Sequence, residues 1–404
     1  MKRKLLVLAL ATSLVACGGS DDDVNKPNPS PTPTQPSKTG VFTDGVISGV
    51  SYKTNKGFMG TTNSAGEFKY DEGDQVTFSI GNVQLGDTVI AQTRITPLDL
   101  ATDVESRTNL LVFLQSLDND AKHENGIQIS EKAIAAVTGL SINFKQSSDA
   151  FANDANVKQV LTKAGTTAVT AEQAKQNFQK AFYQDIAGVW QYTAVNSKQT
   201  VDVMLYINAD GQYYLGQFTP ADHAGKPGIE VGQLNWNSVD GSVKPSINID
   251  TNSEWGLSHP VNKYDLKFDG TQLIIDEQPQ LRDSTVQFSR VLNKANSIVG
   301  SWIFKDDANQ VFSFFDNGYY VMLDPAGDTF AIQEGRIPCS HSGIEYGKYT
   351  LNGHSLLIHN VSVDTNACAG INDESGTNTL PFTLESNKLS LGTDKDAVTF
   401  NRIP

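Results

Sequence analysis

The chain has 404 residues, with 31 basic against 45 acidic side chains and a formal net charge of −14. That length exceeds the roughly 250–300 residues that one hydrophobic core serves, so several domains are expected. The acidic excess, with no basic patch against it, excludes nucleic acid as a partner and gives no attraction to anionic lipid.

Lys2, Arg3 and Lys4 open the chain, an apolar run follows from Leu5 to Ala16, and Leu14-Val15-Ala16 leads into Cys17. An apolar run this short is a signal-peptide core rather than a spanning helix. The order resembles the signal and lipobox of bacterial lipoproteins. The resemblance implies that residues 1–16 are removed, that the Cys17 thiol is diacylated, and that the new amine is acylated. Several acyl chains on one residue anchor a protein durably. Gly18 stands where enterobacterial lipoproteins retained in the inner membrane carry aspartate, which implies the outer membrane. Which face of that membrane the protein occupies stays open.

Residues 17–40 therefore comprise the lipidated cysteine and a tether rich in proline, serine and threonine. In polyproline geometry it reaches up to roughly 70 Å from the lipid, at about 3.1 Å per residue.

From 41 to 98 short alternating runs are cut by glycine turns. "QVTFSI" places Val76, Phe78 and Ile80 on one face, and the segment reads as a small β-sandwich. "GTTNSAGEFKY" resembles the turn and strand of prealbumin-like and carboxypeptidase-regulatory-like domains. The wider pattern, through "VTFSIGNVQLG" to "ITPLDL", is similar to a module of proteobacterial surface lipoproteins. That similarity carries no catalytic motif.

Residues 99–186 change to helical spacing. Thr170 and Gln173 form a capping box, and Ala174, Phe178, Ala181 and Phe182 make an apolar stripe behind it. The expectation is a helical spacer that packs on its neighbours, with a partner-binding helix as the alternative. Within "LDNDAKHENGI", Asp118, Asp120 and Glu124 are weak candidates for a calcium site, because Lys122 takes a ligand position and the glycine comes late. "HENGI" lacks the second histidine of a zinc-protease helix.

The rest of the chain says one thing twice. Trp190 aligns with Trp302, "INADGQYYL" with "FFDNGYYVM", "GIEVGQL" with "GIEYGKY" and "VQFSRV" with "VTFNRI". The spacing of about 110 residues indicates a duplicated β domain, 187–293 and 297–404. Leu205, Ile207, Phe312 and Phe314 read as inward positions of an up-and-down barrel or a tightly rolled sandwich. Gly-x-Trp on the first strand and Phe-x-Arg on the last resembles the lipocalin superfamily, where the tryptophan plugs one barrel end and the arginine lies across it. The resemblance implies two pairs, Trp190 with Arg290 and Trp302 with Arg402. The fold class expected is mainly β and multidomain: β-sandwich, helical spacer and two tandem lipocalin-like antiparallel barrels.

Chemistry is sparse. No Gly-x-Ser-x-Gly, P-loop, Cys-x-x-Cys or Gly-x-Gly-x-x-Gly motif occurs. Cys339 and Cys368 remain for a disulfide in an oxidising compartment, with free thiols or a metal site as alternatives. His341, His354 and His359 lie near them in sequence. Glu230 and Glu345 recur in Gly-Ile-Glu-x-Gly as structural partners or ligand contacts, and Tyr213, Tyr214, Tyr319 and Tyr320 as strand packing or an exposed contact face. No cofactor is implied. The leading expectation is a non-enzymatic outer-membrane lipoprotein that binds a surface protein or carbohydrate in an adhesin-like role. A carrier of a small apolar ligand is the second expectation, and an enzyme of unidentified class the third.

Overall fold

Strict alternation becomes a half-buried strand wherever the sequence shows it. In the computed structural model, which describes residues 37–259, 263–277, 285–304, 309–327, 341–366, 369–372, 376–393 and 397–404, Val76, Phe78 and Ile80 are fully buried and the residues between them are not. Cys17, Cys339 and Cys368 lie outside the described residues, as does the tether to residue 36.

The first module has nine short strands: β1 (Lys38–Phe42), β2 (Ile47–Ser48), β3 (Ser51–Thr54), β4 (Met59–Thr61), β5 (Glu67–Tyr70), β6 (Gln75–Ile80), β7 (Val83–Gln84), β8 (Val89–Ile90) and β9 (Arg94–Ile95). Eight of them form two sheets, β5-β1-β9 and β4-β3-β6-β7, with β8 also on β6, and β2 pairs in parallel with the strand Ile127–Gln128. Aromatic rings fill the space between the sheets. Phe42 stacks on Phe78 at 4.4 Å, and Phe68 meets Phe78 edge-on at 5.2 Å.

The helical segment holds α1 (Val104–Ser116), strand β10 (Ile127–Gln128), α2 (Glu131–Ala136), α3 (Ser148–Asn153), α4 (Ala155–Ala164) and α5 (Ala171–Ile186). Asp103 caps α1 through the Ser106 amide, and Thr170 caps α5 through the Gln173 amide. Leu110 to Leu114 are all buried, so α1 is wrapped on every side. On α5 the stripe Ala174, Phe178, Ala181 and Phe182 is buried, together with Tyr183 and Ile186. Phe182 stacks on Trp236 of the next domain at 3.9 Å, and one hydrophobic core runs from Phe42 and Phe78 through Phe113 and Phe182 to Trp190 and Trp236. The helices are thus the middle layer of a shared core rather than a spacer between separate ones.

The first β domain comprises β11 (Gly188–Tyr192), β12 (Val203–Ile207), β13 (Gln212–Gln217), β14 (Gly228–Gln233), β15 (Ser242–Val243), β16 (Ser246–Asp250), β17 (Tyr264–Phe268), β18 (Gln272–Asp276) and β19 (Thr285–Arg290). The second comprises β20 (Gly300–Phe304), β21 (Gln310–Phe314), β22 (Tyr319–Asp324), β23 (Gly343–Asn352), β24 (Ser355–Asp364), β25 (Asn378–Glu385), β26 (Lys388–Leu391) and β27 (Val398–Arg402). The second closes as an eight-stranded barrel, whereas the first curls as a nine-stranded sheet ordered β15-β17-β18-β19-β11-β12-β13-β14-β16. Asp250 faces Glu230 as Asp364 faces Glu345, so β15 and β16 together occupy the place of β24. By register Ser246 faces Gln233 as His359 faces Lys348, so Pro245 stands where β24 carries Ile358. Proline has no N–H to give the ladder, and the strand splits there, half pairing with β17 and half with β14.

The two β domains meet through their outer faces. Val189, Met204, Tyr214 and Ile229 of the first pack with Ile303, Val321, Leu323 and Tyr346 of the second. The Thr200 amide donates to the Tyr346 hydroxyl at 3.0 Å. At Gly216 a Cβ would lie 2.3 Å from Leu323 Cδ2, so a side chain there would displace Leu323. Residues Ser37–Pro404 form one compact unit. Among the described residues no helix is long and apolar enough to cross a membrane.

Candidate binding sites of the two β domains

Each domain is closed at one end in the same way. Arg290 Cζ lies 4.2 Å from the Trp190 ring centre, and Arg402 Cζ lies 4.0 Å from that of Trp302. Both tryptophans are fully buried, and their indole N–H groups donate to Ile186 O at 2.8 Å and Ile298 O at 2.7 Å. The guanidinium groups donate to chain just ahead of the first strand: Arg290 to Ala187 O and Asp185 O, Arg402 to Val299 O and Ser297 O. Gly188 and Gly300, two residues before each tryptophan, sit at φ of +136° and +124°. A Cβ on Gly188 would lie 2.3 Å from Arg290 Nη1. Gly-x-Trp therefore leaves space for the arginine that crosses the ring.

Inside, a second pairing is duplicated. Tyr213 donates its hydroxyl proton to Glu230, and Tyr320 donates to Glu345 at 2.9 Å. All four side chains are fully buried. Glu230 and Glu345 thus each meet a tyrosine of the adjacent strand. Burial raises the Glu230 carboxyl above its ordinary range. It pushes Glu345 up to about 8, with Asp364 and Asp324 adding in the same direction, so this group is largely protonated at neutral pH.

The same carboxyls hold a loop that the sequence comparison missed. Asp250-Thr251-Asn252 with Gly256-Leu257 matches Asp364-Thr365-Asn366 with Gly370-Ile371. Each threonine hydroxyl accepts from the strand residue before the glutamate: Thr251 from the Ile229 amide at 2.8 Å, Thr365 from the Ile344 amide at 2.9 Å. The loops then return to the carboxyls. Leu257 and Ser258 amides donate to Glu230 at 3.1 and 2.9 Å, and the Asn372 amide donates to Glu345 at 3.3 Å. Gly256, at φ +94°, passes so close that a Cβ would lie 2.6 Å from Glu230 Oε2. The signal was present, as two Asp-Thr-Asn triplets at the repeat spacing. Buried and surrounded by internal donors, the carboxyls tie loop to wall.

The interiors differ in fullness. By register, Leu205, Leu215 and Ile207 of the first domain correspond to Phe312, Met322 and Phe314 of the second. These larger side chains, with Trp302, Tyr320 and Phe400, pack together inside the second barrel. The first keeps a cavity of about 180 Å³, lined by residues including Tyr192, Val203, Leu215, Leu257, Tyr264 and Phe288.

The other candidate residues do not gather into a site. Asp118 Oδ1 accepts the Gln128 amide and Asp120 accepts from Lys122 and Asn125, so these acids close turns, and Glu124 is exposed. Among the described residues no group of three or more His, Cys, Asp or Glu side chains could hold a metal ion. His341 is exposed, His354 lies in the turn before β24, and His359 pairs with Thr350 at 3.0 Å. Tyr214 and Tyr319 pack in the face between the β domains, so the repeated tyrosines form no exposed contact surface. Ser258 Oγ lies 2.7 Å and Asp250 Oδ2 4.0 Å from His259 Nδ1. Both partners face the same ring nitrogen, whereas a serine–histidine–aspartate relay uses one nitrogen for each.

No family model matches the chain, and no curated protein matches it. Two crystal structures are similar to part of it. A lipocalin-like protein from Bacteroides uniformis ATCC 8492 is 16% identical over 26% of this chain and 98% of its own, with a TM-score of 0.20. An uncharacterized protein from Bacteroides eggerthii DSM 20697 is 14% identical over 26% and 99%, with a TM-score of 0.18. The barrel assignment stands on the strand order of the chain itself.

Proposed function

We propose that this protein is a lipid-anchored, non-enzymatic binding protein of the outer membrane whose recognition surface lies outside its barrel interiors. The observation that carries this reading is the packed aromatic interior of the second barrel. Trp302, Phe312, Phe314, Tyr320 and Met322 occupy the volume a lipid-sized ligand would need. Ligand pockets usually measure roughly 300–1,000 Å³, and the cavity of about 180 Å³ in the first domain is smaller. The anchor rests on the order of basic start, apolar run and Leu-Val-Ala-Cys17. The buried carboxyls bound to tyrosines and loop amides offer no catalytic pair, which supports a binding role.

A second reading has that small cavity behind it: a carrier of a compact, mostly apolar molecule in the first domain. Native mass spectrometry of protein purified from its own envelope separates the two. Protein free of small molecules in its barrels supports recognition on outer surfaces, and a stoichiometric molecule displaced by competing apolar compounds supports the carrier. Metabolic labelling with a fatty-acid analogue tests the anchor: wild type should be marked and Cys17→Ser should not. Equal labelling of both would remove the anchor from the proposal.

A further inference from the structure

A larger cleft, of about 440 Å³, opens where the first module, α1, α5 and the first β domain meet. It is separate from both barrel interiors, and its volume falls within the range of small-ligand pockets. Its chemistry is ordered by depth. Arg94, nine-tenths buried, lies between the rings of Phe182 and Phe268, with Cζ 5.9 and 5.7 Å from their centres. Arg94 Nη2 donates to Asp185 at 2.6 Å, and among the described residues the guanidinium has no other hydrogen-bond partner. Arg107, also lining the cleft, is fixed from behind, with Nε donating to Ala101 O at 2.7 Å and Nη1 to Val239 O at 2.9 Å. Two rigid guanidinium groups therefore keep donors for an acceptor in the cleft.

The remaining walls carry the carboxylates of Asp99, Asp240, Asp265 and Asp269, one further cation, Lys267, and an apolar face. Asp265 and Asp240, the latter already paired with Lys263 at 2.7 Å, line the cleft on the side of the first β domain, and Leu98, Phe268 and Ile274 are its half-buried apolar surface. Guanidinium forks favour a carboxylate, which the acidic wall would repel if it came without a cation. Both signs in one small cleft suit a ligand that carries both.

We propose that this cleft binds a zwitterion, an amino acid or short peptide with an apolar side chain. Its carboxylate meets Arg94 and Arg107, its ammonium group meets the wall of Asp265 and Asp240, and its side chain lies against Leu98, Phe268 and Ile274. The proposal rests on the reading of the chain as a binding protein and does not depend on the lipid anchor.

Titration calorimetry on the full chain, using the dipeptide Leu-Leu, tests it. Leu-Leu should bind, and N-acetyl-Leu-Leu and Leu-Leu-amide should each bind at least about tenfold more weakly, since each lacks one charged partner. Arg107→Gln should weaken Leu-Leu. Because that change also removes bonds to Ala101 and Val239, Asp265→Asn serves as the milder variant: it should weaken Leu-Leu about tenfold and leave the N-acetyl form unchanged. No binding, equal binding of all three compounds, tighter binding of the N-acetyl form, or preference for glucose would each overturn the proposal. A co-purified ligand that is not a zwitterion would overturn it and leave the binding-protein reading standing.

Discussion

At Glu345 a single buried carboxyl gives the protein a pH dependence with a definite sign. Its folded value is about 8 against an ordinary 4.5, because burial disfavours the charged form. Between those values the folded state holds a proton that the unfolded chain has released. The contribution to stability is therefore full below about 4.5 and is lost as pH rises to about 8. Asp44, fully buried and raised to about 7, acts in the same direction from 3.8 upward. The melting temperature should fall from pH 5 to pH 8.5, and Glu345→Gln, neutral throughout, should flatten part of that slope. An unchanged slope in the variant would show that Glu345 does not carry the proton. The barrel ends give a second measurement. Arg402→Ala should destabilise the chain by roughly 1–3 kcal/mol, from lost stacking and unsatisfied carbonyls, and a double-mutant cycle with Trp302→Phe should show coupling. Those pairs were readable in the sequence because each half is a short motif at a strand end. The Tyr–Glu pairs were not. Both residue types recurred visibly, but the register between β13 and β14 depends on the loop between them, which no periodicity reports.

Elements repeat less faithfully than residues. The helix caps at Asp103 and Thr170 and the burial of alternating strands follow from local sequence, since neighbours a few residues apart set them. The split of β15 from β16 also had a local cause, Pro245, but it becomes visible only once that stretch is known to be the counterpart of β24. The Asp-Thr-Asn loops were overlooked because they resemble ordinary polar turns; their meaning comes from the buried carboxyl beneath them. Gly256 is the position where this loop is most constrained. Replacing it by alanine imposes a Cβ at φ +94° and sets that atom 2.6 Å from Glu230 Oε2. Gly256→Ala should destabilise the chain by at least about 1–3 kcal/mol and speed hydrogen exchange at the Leu257 and Ser258 amides. A variant as stable as wild type, with those amides still protected, would mean that the loop is not held by Glu230.

On the scale of the whole molecule, division into sandwich, helices and barrels describes the sheets better than the cores. The core that begins at Phe42 does not stop at either expected boundary; it passes through α5 and ends inside the first β domain. Sequence patterns could show that α5 has an apolar stripe, but not that Trp236 and Trp190 would lie in the core beyond it, since contacts between distant segments leave no periodic trace. The second barrel keeps an interior of its own and joins the rest through the outer-face cluster around Tyr214 and Tyr346. Unfolding should follow the cores. Residues 37–293 should melt as one cooperative unit, and the last barrel as a second. Phe182→Ala, which removes the ring stacked at 3.9 Å on Trp236, should cost about 3–5 kcal/mol. That loss should appear throughout the first unit, lowering the transition of the N-terminal sandwich as much as that of the first β domain. Calorimetry of the full chain, with hydrogen exchange read separately for β6, α5, β12 and β22, can follow each part. If the variant loosened α5 and β12 while β6 kept its full protection, the sandwich would be an independent domain and the shared core would carry no cooperativity.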